Sequence, residues 1–362
     1  LEAVYGPCEG LIVTRYGYAR PCKGIEVVEA AHPVPDEAGV LATQRILDLV
    51  RDLGLDDQVI ALISGGGSAL LCAPVDGLTL ADKKTVNAAL LASGMPISQM
   101  NIVRKQVSAV KGGKLAAAVY PAKLLTLTIS DVPGDDPSEI ASGPTVGSIA
   151  TAAMALAALR QWKVALPAHI MQVITNAPAP IAPNDPRLST SETRIIAAPA
   201  QSLAAAAELA GDIDVRILGD AIEGEARNLG QVHVALALRI AAEKNTRPVL
   251  LLSGGECTVT RRGNGIGGPN AEYVLAAGHV LNGHPQINVL ACDTDGVDGA
   301  AEVAGAYAGP DMQELARRHR ASSEAALETN DAHTFFGKIG GQIVTGPTLT
   351  NVNDFRAILI LP

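Results

Sequence analysis

The sequence predicts an α/β protein of two domains. The first supporting observation is that short apolar runs alternate with longer segments whose apolar residues recur at helical spacing, as strands and covering helices do. The second is length: 362 residues exceed what one ordinary core organises. The third is a break at 176–191 (NAPAPIAPNDPRLSTS), where Pro178, Pro180, Pro183 and Pro186 remove backbone donors and stop helix or strand. We place the boundary there, giving domains at 1–180 and 190–362.

In sequence order, GLIVT (10–14), IEVVEA (25–30), QVIALIS (58–64) and KLLTLTIS (123–130) read as buried strands. Residues 36–53 form a helical pattern with Asp36 as N-cap. Residues 79–93 form another, opened by an approximate capping box between Thr79 and Asp82. The alternation predicts a parallel sheet covered on both faces. After the break come TRIIAAP, a helix near 200–211, DVRILG, a helix near 221–244, RPVLLLSGGE, a helix near 270–281 and INVLAC.

A net charge of −9 argues against a nucleic-acid partner. No stretch approaches the roughly 18 apolar residues of a membrane span, so no membrane partner is expected. The five cysteines, with no CxxC spacing, read as reduced thiols of a cytoplasmic protein rather than a zinc site. A strand-like run begins soon after Leu1, and we expect an upstream segment to be missing.

Ser64-Gly65-Gly66-Gly67-Ser68 follows an apolar strand, and Ser253-Gly254-Gly255 follows another. Glycine at a strand's carboxyl end permits a sharp turn and close backbone approach. Such a turn, leading into a helix, aims N–H groups at an anion. Neither turn fits the GxxxxGK[ST] loop. Gly263-Asn264-Gly265-Ile266-Gly267-Gly268 fits GxGxxG and precedes a helix, which raises a nicotinamide-dependent reductase as the rival. Its preceding segment alternates polar and apolar residues, unlike the buried first strand of a dinucleotide fold.

Residues 101–114 carry Arg104, Lys105, Lys111 and Lys114, which a helix would line up. Asn101 and Arg104, one turn apart at an expected helix start, suit a carboxylate or phosphate. The loop 130–145 holds Asp131 among turn residues and suits Mg²⁺. Asp293, Asp295 and Asp298 follow a later strand as candidates for a metal or a general base. Thr350, Asn351 and Asn353 precede the last strand as ligand donors or turn residues. His32, before a proline, reads as structural.

The segments TRYGYARP, EAAHPVPDEAG, LISGGGSALLCAPVDGLTL, NIVRKQVSAVKGGKLA, TISDVPGDDPSEIASGPTV, LLSGGECTV, TDGVDG and GQIVTGPTLTNVND together resemble the glycerate 2-kinase family. Its second domain is called MOFRL, and its members are often labelled hydroxypyruvate reductase. The resemblance covers nearly the whole sequence. It implies a larger Rossmann-like domain with a mainly parallel sheet, a smaller MOFRL-type α/β domain, and an active site in the inter-domain cleft. It also implies transfer of the ATP γ-phosphoryl group to the 2-hydroxyl of D-glycerate or a related hydroxy acid, with Mg²⁺.

On that resemblance Ser64, Gly65, Gly66, Gly67, Ser68, Asn101, Gly254, Gly255 and Asn270 would hold the cofactor. Arg104, Lys105, Asp131 and Asp295 would act in catalysis, and Glu256 and Asp293 would hold the metal. The resemblance implies a catalytic lysine in an upstream Gly-Lys-Ala segment, which we expect to lie before Leu1. Where members read GRGGRNQE, this sequence has Ile266 and Pro269 in place of the arginines. The oligomeric state is open, a homodimer included, and so is a non-catalytic binding role.

Overall fold

A computed structural model describes residues 1–243, 245–299 and 301–362. Lys244, the last residue of one expected helix, lies outside them. The protein divides into two compact units, Leu1–Ile196 and Ala197–Pro362.

Unit 1 opens with a single helical turn, α1 (Glu2–Tyr5), and two parallel strands, β1 (Gly10–Arg15) and β2 (Ile25–Ala30). Helix α2 (Glu37–Leu49) starts where expected, because the Asp36 carboxylate accepts from the Gly39 amide at 3.1 Å. Strand β3 (Gln58–Ile63) feeds the glycine turn and the four-residue α3 (Gly67–Leu70). Helix α4 (Leu80–Ala92) carries a complete capping box: Thr79 N donates to Asp82 at 2.8 Å, and Asp82 N to Thr79 Oγ1 at 3.2 Å. Then come α5 (Ile97–Gln106), α6 (Lys114–Val119), β4 (Lys123–Ile129), α7 (Ala152–Gln161) and α8 (Ala168–Thr175).

Strands β3 and β4 pair in parallel, and β5 (Ser191–Ala197) joins the far edge of β4. The proline-rich 176–191 stretch therefore returns the backbone to this sheet, and the division between units falls after it. β3 is half-exposed rather than buried: Ile60 and Leu62 are 37% and 52% accessible, while Val59 and Ala61 pack on the core beneath. One apolar cluster gathers Val86, Leu90, Met100, Val103, Leu159 and Ile170 from α4, α5, α7 and α8.

Unit 2 begins with α9 (Pro199–Leu209), β6 (Asp214–Gly219), the short β7 (Gly224–Glu225) and α10 (Ala226–Ala242). It continues through β8 (Val249–Gly255), β9 (Cys257–Thr258), α11 (Pro269–Leu281), β10 (Ile287–Asp293) and β11 (Gly305–Ala308). It ends with α12 (Met312–Arg318), α13 (Ser323–Thr329), α14 (Ala332–Ile339), β12 (Gln342–Ile343) and β13 (Asp354–Ile360).

The sheet order is β12-β11-β10-β13-β8-β6. Only β6 and β8 run parallel; β13 returns between β8 and β10 and pairs antiparallel with both. Alternation of strand and helix thus indicates the parallel pairing in unit 1, but not the mostly antiparallel sheet of unit 2. Helix α11 is buried almost throughout, and Gly230 of α10 lets the two helices touch: a Cβ there would lie 2.5 Å from the Tyr273 carbonyl.

Candidate active site

In unit 1 the backbone leaves β3 at Ser64 and turns through Gly65 and Gly66. Gly66 has φ +77, and a Cβ on it would meet the His32 ring at 3.1 Å, so both conformation and space call for glycine. A Cβ on Gly65 would fall 2.0 Å from Asp131 Oδ2, which places the Asp131 carboxylate directly on the turn. Burial pushes the Asp131 carboxyl above its ordinary value.

A second loop meets this turn. Ala141 and Ser142 adopt left-handed backbone (φ 51 and 62), an arrangement that only its surroundings maintain. Gly112 N donates to Ser142 O at 3.2 Å and Gly113 N to Gly143 O at 2.8 Å. The Ser142 hydroxyl then lies 2.8 Å from Ser68 Oγ and donates to Asn101 Oδ1 at 3.0 Å. Asn101 Nδ2 donates to Glu139 at 2.6 Å, and Lys105 pairs with the same carboxylate at 3.3 Å. Asn101 and Lys105 are therefore both engaged by Glu139.

The expected basic helix does not form as one piece. α5 ends at Gln106, and Lys114 begins α6 and caps Lys105 and Ser108 carbonyls. Asn101 and Arg104 sit in the later turns of α5, not at its start. The intervening bend nonetheless returns Lys111 to Arg104's neighbourhood. Both line a cavity of about 160 Å³ with His32, Gly66, Ser68, Asn87 and Lys83, and no carboxylate lines it.

Lys111, fully buried, donates to Ser68 O at 2.8 Å, Ser68 Oγ at 2.9 Å and Ala141 O at 3.4 Å. Burial and the neighbouring cations Lys83 and Arg104 hold its ammonium well below the ordinary lysine range. Arg104 is fixed by Asn87 Oδ1 through Nε (3.1 Å) and a terminal nitrogen (2.6 Å). Lys83 Nζ is buried without a nitrogen or oxygen partner, its polar neighbour being the weakly accepting thiol of Cys72. Sequence reasoning passed over Lys83 and set His32 aside. The available signal was spacing: Lys83 lies on the stripe of α4 that also presents Val86 and Leu90, so a lysine occupies the inward face.

Unit 2 assembles a different centre. Asp298 accepts from the amides of Asn270 (2.9 Å) and Ala271 (2.8 Å) at the start of α11, and lies 3.1 Å from His333 Nε2. Asn270 Nδ2 donates to Asp354 at 2.6 Å, and Asp354 pairs with Arg356 at 2.6 Å. Asn270 is 1% exposed, so its amide serves this network and not a cofactor.

The second Ser-Gly-Gly resembles the first in sequence only. Ser253, Gly254 and Gly255 lie inside β8, Ile222 N donates to Gly254 O at 3.1 Å, and a Cβ on Gly255 would lie 2.3 Å from Ile222 N. The protein's own 220–222 segment covers them, so Gly254 and Gly255 form no open anion turn. The GxGxxG glycines are filled likewise. Gly263, Gly265 and Gly267 back onto Thr329–Asp331, Gly268 backs onto Asp298, and Asp298 occupies the amides at the start of α11. The helix start that would face a dinucleotide's pyrophosphate is thus taken by a carboxylate.

Asp293 is pushed up to about 8 by burial, with Asp295 and Asp354 as charged neighbours; its Oδ1 accepts the Asp295 amide at 3.0 Å. Glu256 is exposed, and among the described residues no group of three or more His, Cys, Asp and Glu gathers as a metal cluster. Asn351 serves a turn, accepting from Asn353 N at 2.8 Å. The cysteines are free, and among the described residues no helix is long and apolar enough to cross a membrane.

Residues 1–175 match the family described as Domain of unknown function (DUF4147), and residues 249–354 match the MOFRL family. A putative hydroxypyruvate reductase of Agrobacterium vitis is 48% identical, over 97% of this protein and 92% of its own length. The D-glycerate 2-kinase of Thermotoga maritima is 34% identical, over 98% of this protein and 84% of its own length. Human glycerate kinase is 34% identical, over 95% and 75%. The crystal structure of a glycerate kinase from Thermotoga maritima superposes with a TM-score of 0.89, covering 98% of this protein and 85% of that one.

Proposed function

The protein belongs to the glycerate kinase family with a MOFRL C-terminal domain, and on that premise we propose that it transfers the γ-phosphoryl group of ATP to the 2-hydroxyl of D-glycerate. The observation that carries this reading is the glycine turn of unit 1, which has the half-buried Asp131 carboxylate on one side and, among the described residues, cations without acid partners on the other. Phosphoryl transfer asks a protein chiefly for positioning and for compensation of negative charge.

The Ser64–Ser68 turn provides backbone for the phosphoryl group, while Lys111 and Ser142 fix its shape. Arg104, held by Asn87, contributes positive charge beside it. Asp131, its proton affinity raised by burial, accepts the proton of the acceptor hydroxyl as that oxygen bonds to phosphorus and the bond to the ADP oxygen breaks. Mg²⁺, when bound, offsets charge on the phosphate oxygens. We place the protein in the cytoplasm on its free thiols.

Reduction of hydroxypyruvate by NAD(P)H is favoured by the name of the Agrobacterium relative. It is opposed by the packing of Gly263–Gly268 against the protein's own backbone and Asp298. The deciding experiment supplies the purified full-length protein with D-glycerate, ATP and Mg²⁺, and separately with hydroxypyruvate and NADH. We expect 2-phosphoglycerate in the first and no NADH oxidation in the second; the opposite pattern overturns the kinase reading.

A further inference from the structure

We propose that the cavity behind the glycine turn is the seat of the acceptor acid's carboxylate, and that Lys83 is the residue that binds it. This deepens the kinase reading and rests on it for the identity of the acid.

Size comes first. About 160 Å³ is below the roughly 300–1,000 Å³ of pockets that enclose drug-sized ligands. A space of that size suits a small hydroxy acid better than a whole nucleotide. Charge comes second. Lys83, Arg104 and Lys111 line the cavity, no carboxylate does, and none of the three forms an ion pair among the described residues. Buried like charges oppose one another, and an arriving anion removes that cost.

Hydrogen-bond accounting then singles out one residue. An ammonium has three donors, and those of Lys111 go to Ser68 O, Ser68 Oγ and Ala141 O. Arg104 directs Nε and a terminal nitrogen to Asn87 and its other terminal nitrogen to Asn101. Lys83 Nζ is buried with no nitrogen or oxygen acceptor, and the Cys72 thiol beside it is a weak substitute for one. Burial lowers its affinity for a proton, so at neutral pH the charged form costs the ligand-free fold stability. Gly66 and Ser68 form part of the same wall. An acid held on Lys83 therefore extends its hydroxyl-bearing carbon toward the turn that bears Asp131.

The test is Lys83→Met in the full-length protein. It is read by melting temperature without ligand, by calorimetric binding of D-glycerate and of Mg²⁺–ATP separately, and by the KM for each. We expect an unchanged or higher melting temperature. We also expect D-glycerate binding weakened about thirtyfold or more, as loss of a buried charge pair implies, with ATP binding within about twofold of the parent. Weakened ATP binding with intact D-glycerate binding would assign the cavity to a phosphate of the nucleotide and overturn the proposal. Unchanged affinities, or a large drop in melting temperature with loss of both ligands, would overturn it as well. A parent protein that binds D-glycerate through Lys83 but forms no phosphoglycerate would refute the kinase reading and leave the carboxylate seat standing.

Discussion

Arg356 in unit 2 and Lys83 in unit 1 are both cations held away from water, and they are treated in opposite ways. Arg356, 1% exposed, reaches Asp354 at 2.6 Å and the Gly254 carbonyl at 3.1 Å, and its guanidinium lies 5.8 Å from the centre of the Tyr273 ring. Asp354 in turn receives Asn270, and Asn270's own amide meets Asp298, which also faces His333. Elsewhere in unit 2 Arg227 pairs with Glu272, which accepts from Asn330 at 3.0 Å. Lys83, Arg104 and Lys111 have no such acids among the described residues. Buried charges balanced within the protein organise the fold. Buried charges left unbalanced signify a ligand that completes the balance.

The largest effect should come from breaking a balanced pair. Arg356→Met leaves the Asp354 carboxylate buried beside Cys257 and Asn270 without its cation. Removing one partner of such a pair costs about 3–5 kcal/mol. Scanning calorimetry of the full-length protein should show a transition displaced far downward, whereas Lys83→Met should show none. If both variants lose stability alike, the distinction between the two units fails.

The next effect sharpens the unit 1 side. In Gly65→Ala the new methyl must displace the Asp131 carboxylate, since it would otherwise lie 2.0 Å from Oδ2. Overpacking of this kind costs about 1–3 kcal/mol. A displaced catalytic group lowers kcat/KM by about 10²-fold. Steady-state kinetics should show the fall mainly in kcat. An active Gly65→Ala enzyme would remove Asp131 from the reaction.

Much of the scaffold was readable from the sequence, because it rests on local chemistry. Asp36 and the Thr79–Asp82 pair cap their helices through groups three residues away, so spacing alone identifies them. What was hidden depends on long-range returns. Nothing near residue 354 shows that β13 enters between β8 and β10, and this entry makes the unit 2 sheet mostly antiparallel. The two Ser-Gly-Gly runs read alike, yet one is a turn and the other the end of a strand covered by Ile222. The basic run 104–114 was visible as a cluster. Its division by Gly112 and Gly113 at positive φ decides that Lys111 turns inward and Lys114 caps carbonyls. Lys83 was concealed because a lysine on a helix usually faces water.

The smallest effect probes whether the balanced network of unit 2 also governs its response to acid. His233, 6% exposed, meets the Tyr273 hydroxyl at 2.9 Å through Nδ1. Burial, aided by Arg356, pushes it down to about 4 from an ordinary value of 6.5. A base depressed on folding contributes stability that is complete above its unfolded value. That contribution is lost as pH falls from about 6.5 toward 4, where the unfolded protein binds the proton and the folded one does not. His233→Gln keeps a polar partner for Tyr273 and removes the titration. Its melting temperature at pH 7.5 should lie within a few degrees of the parent, and its decline between pH 6.5 and 4 should be shallower. Identical slopes in the two proteins would mean that protonation elsewhere, not at this ring, controls the acid sensitivity of unit 2.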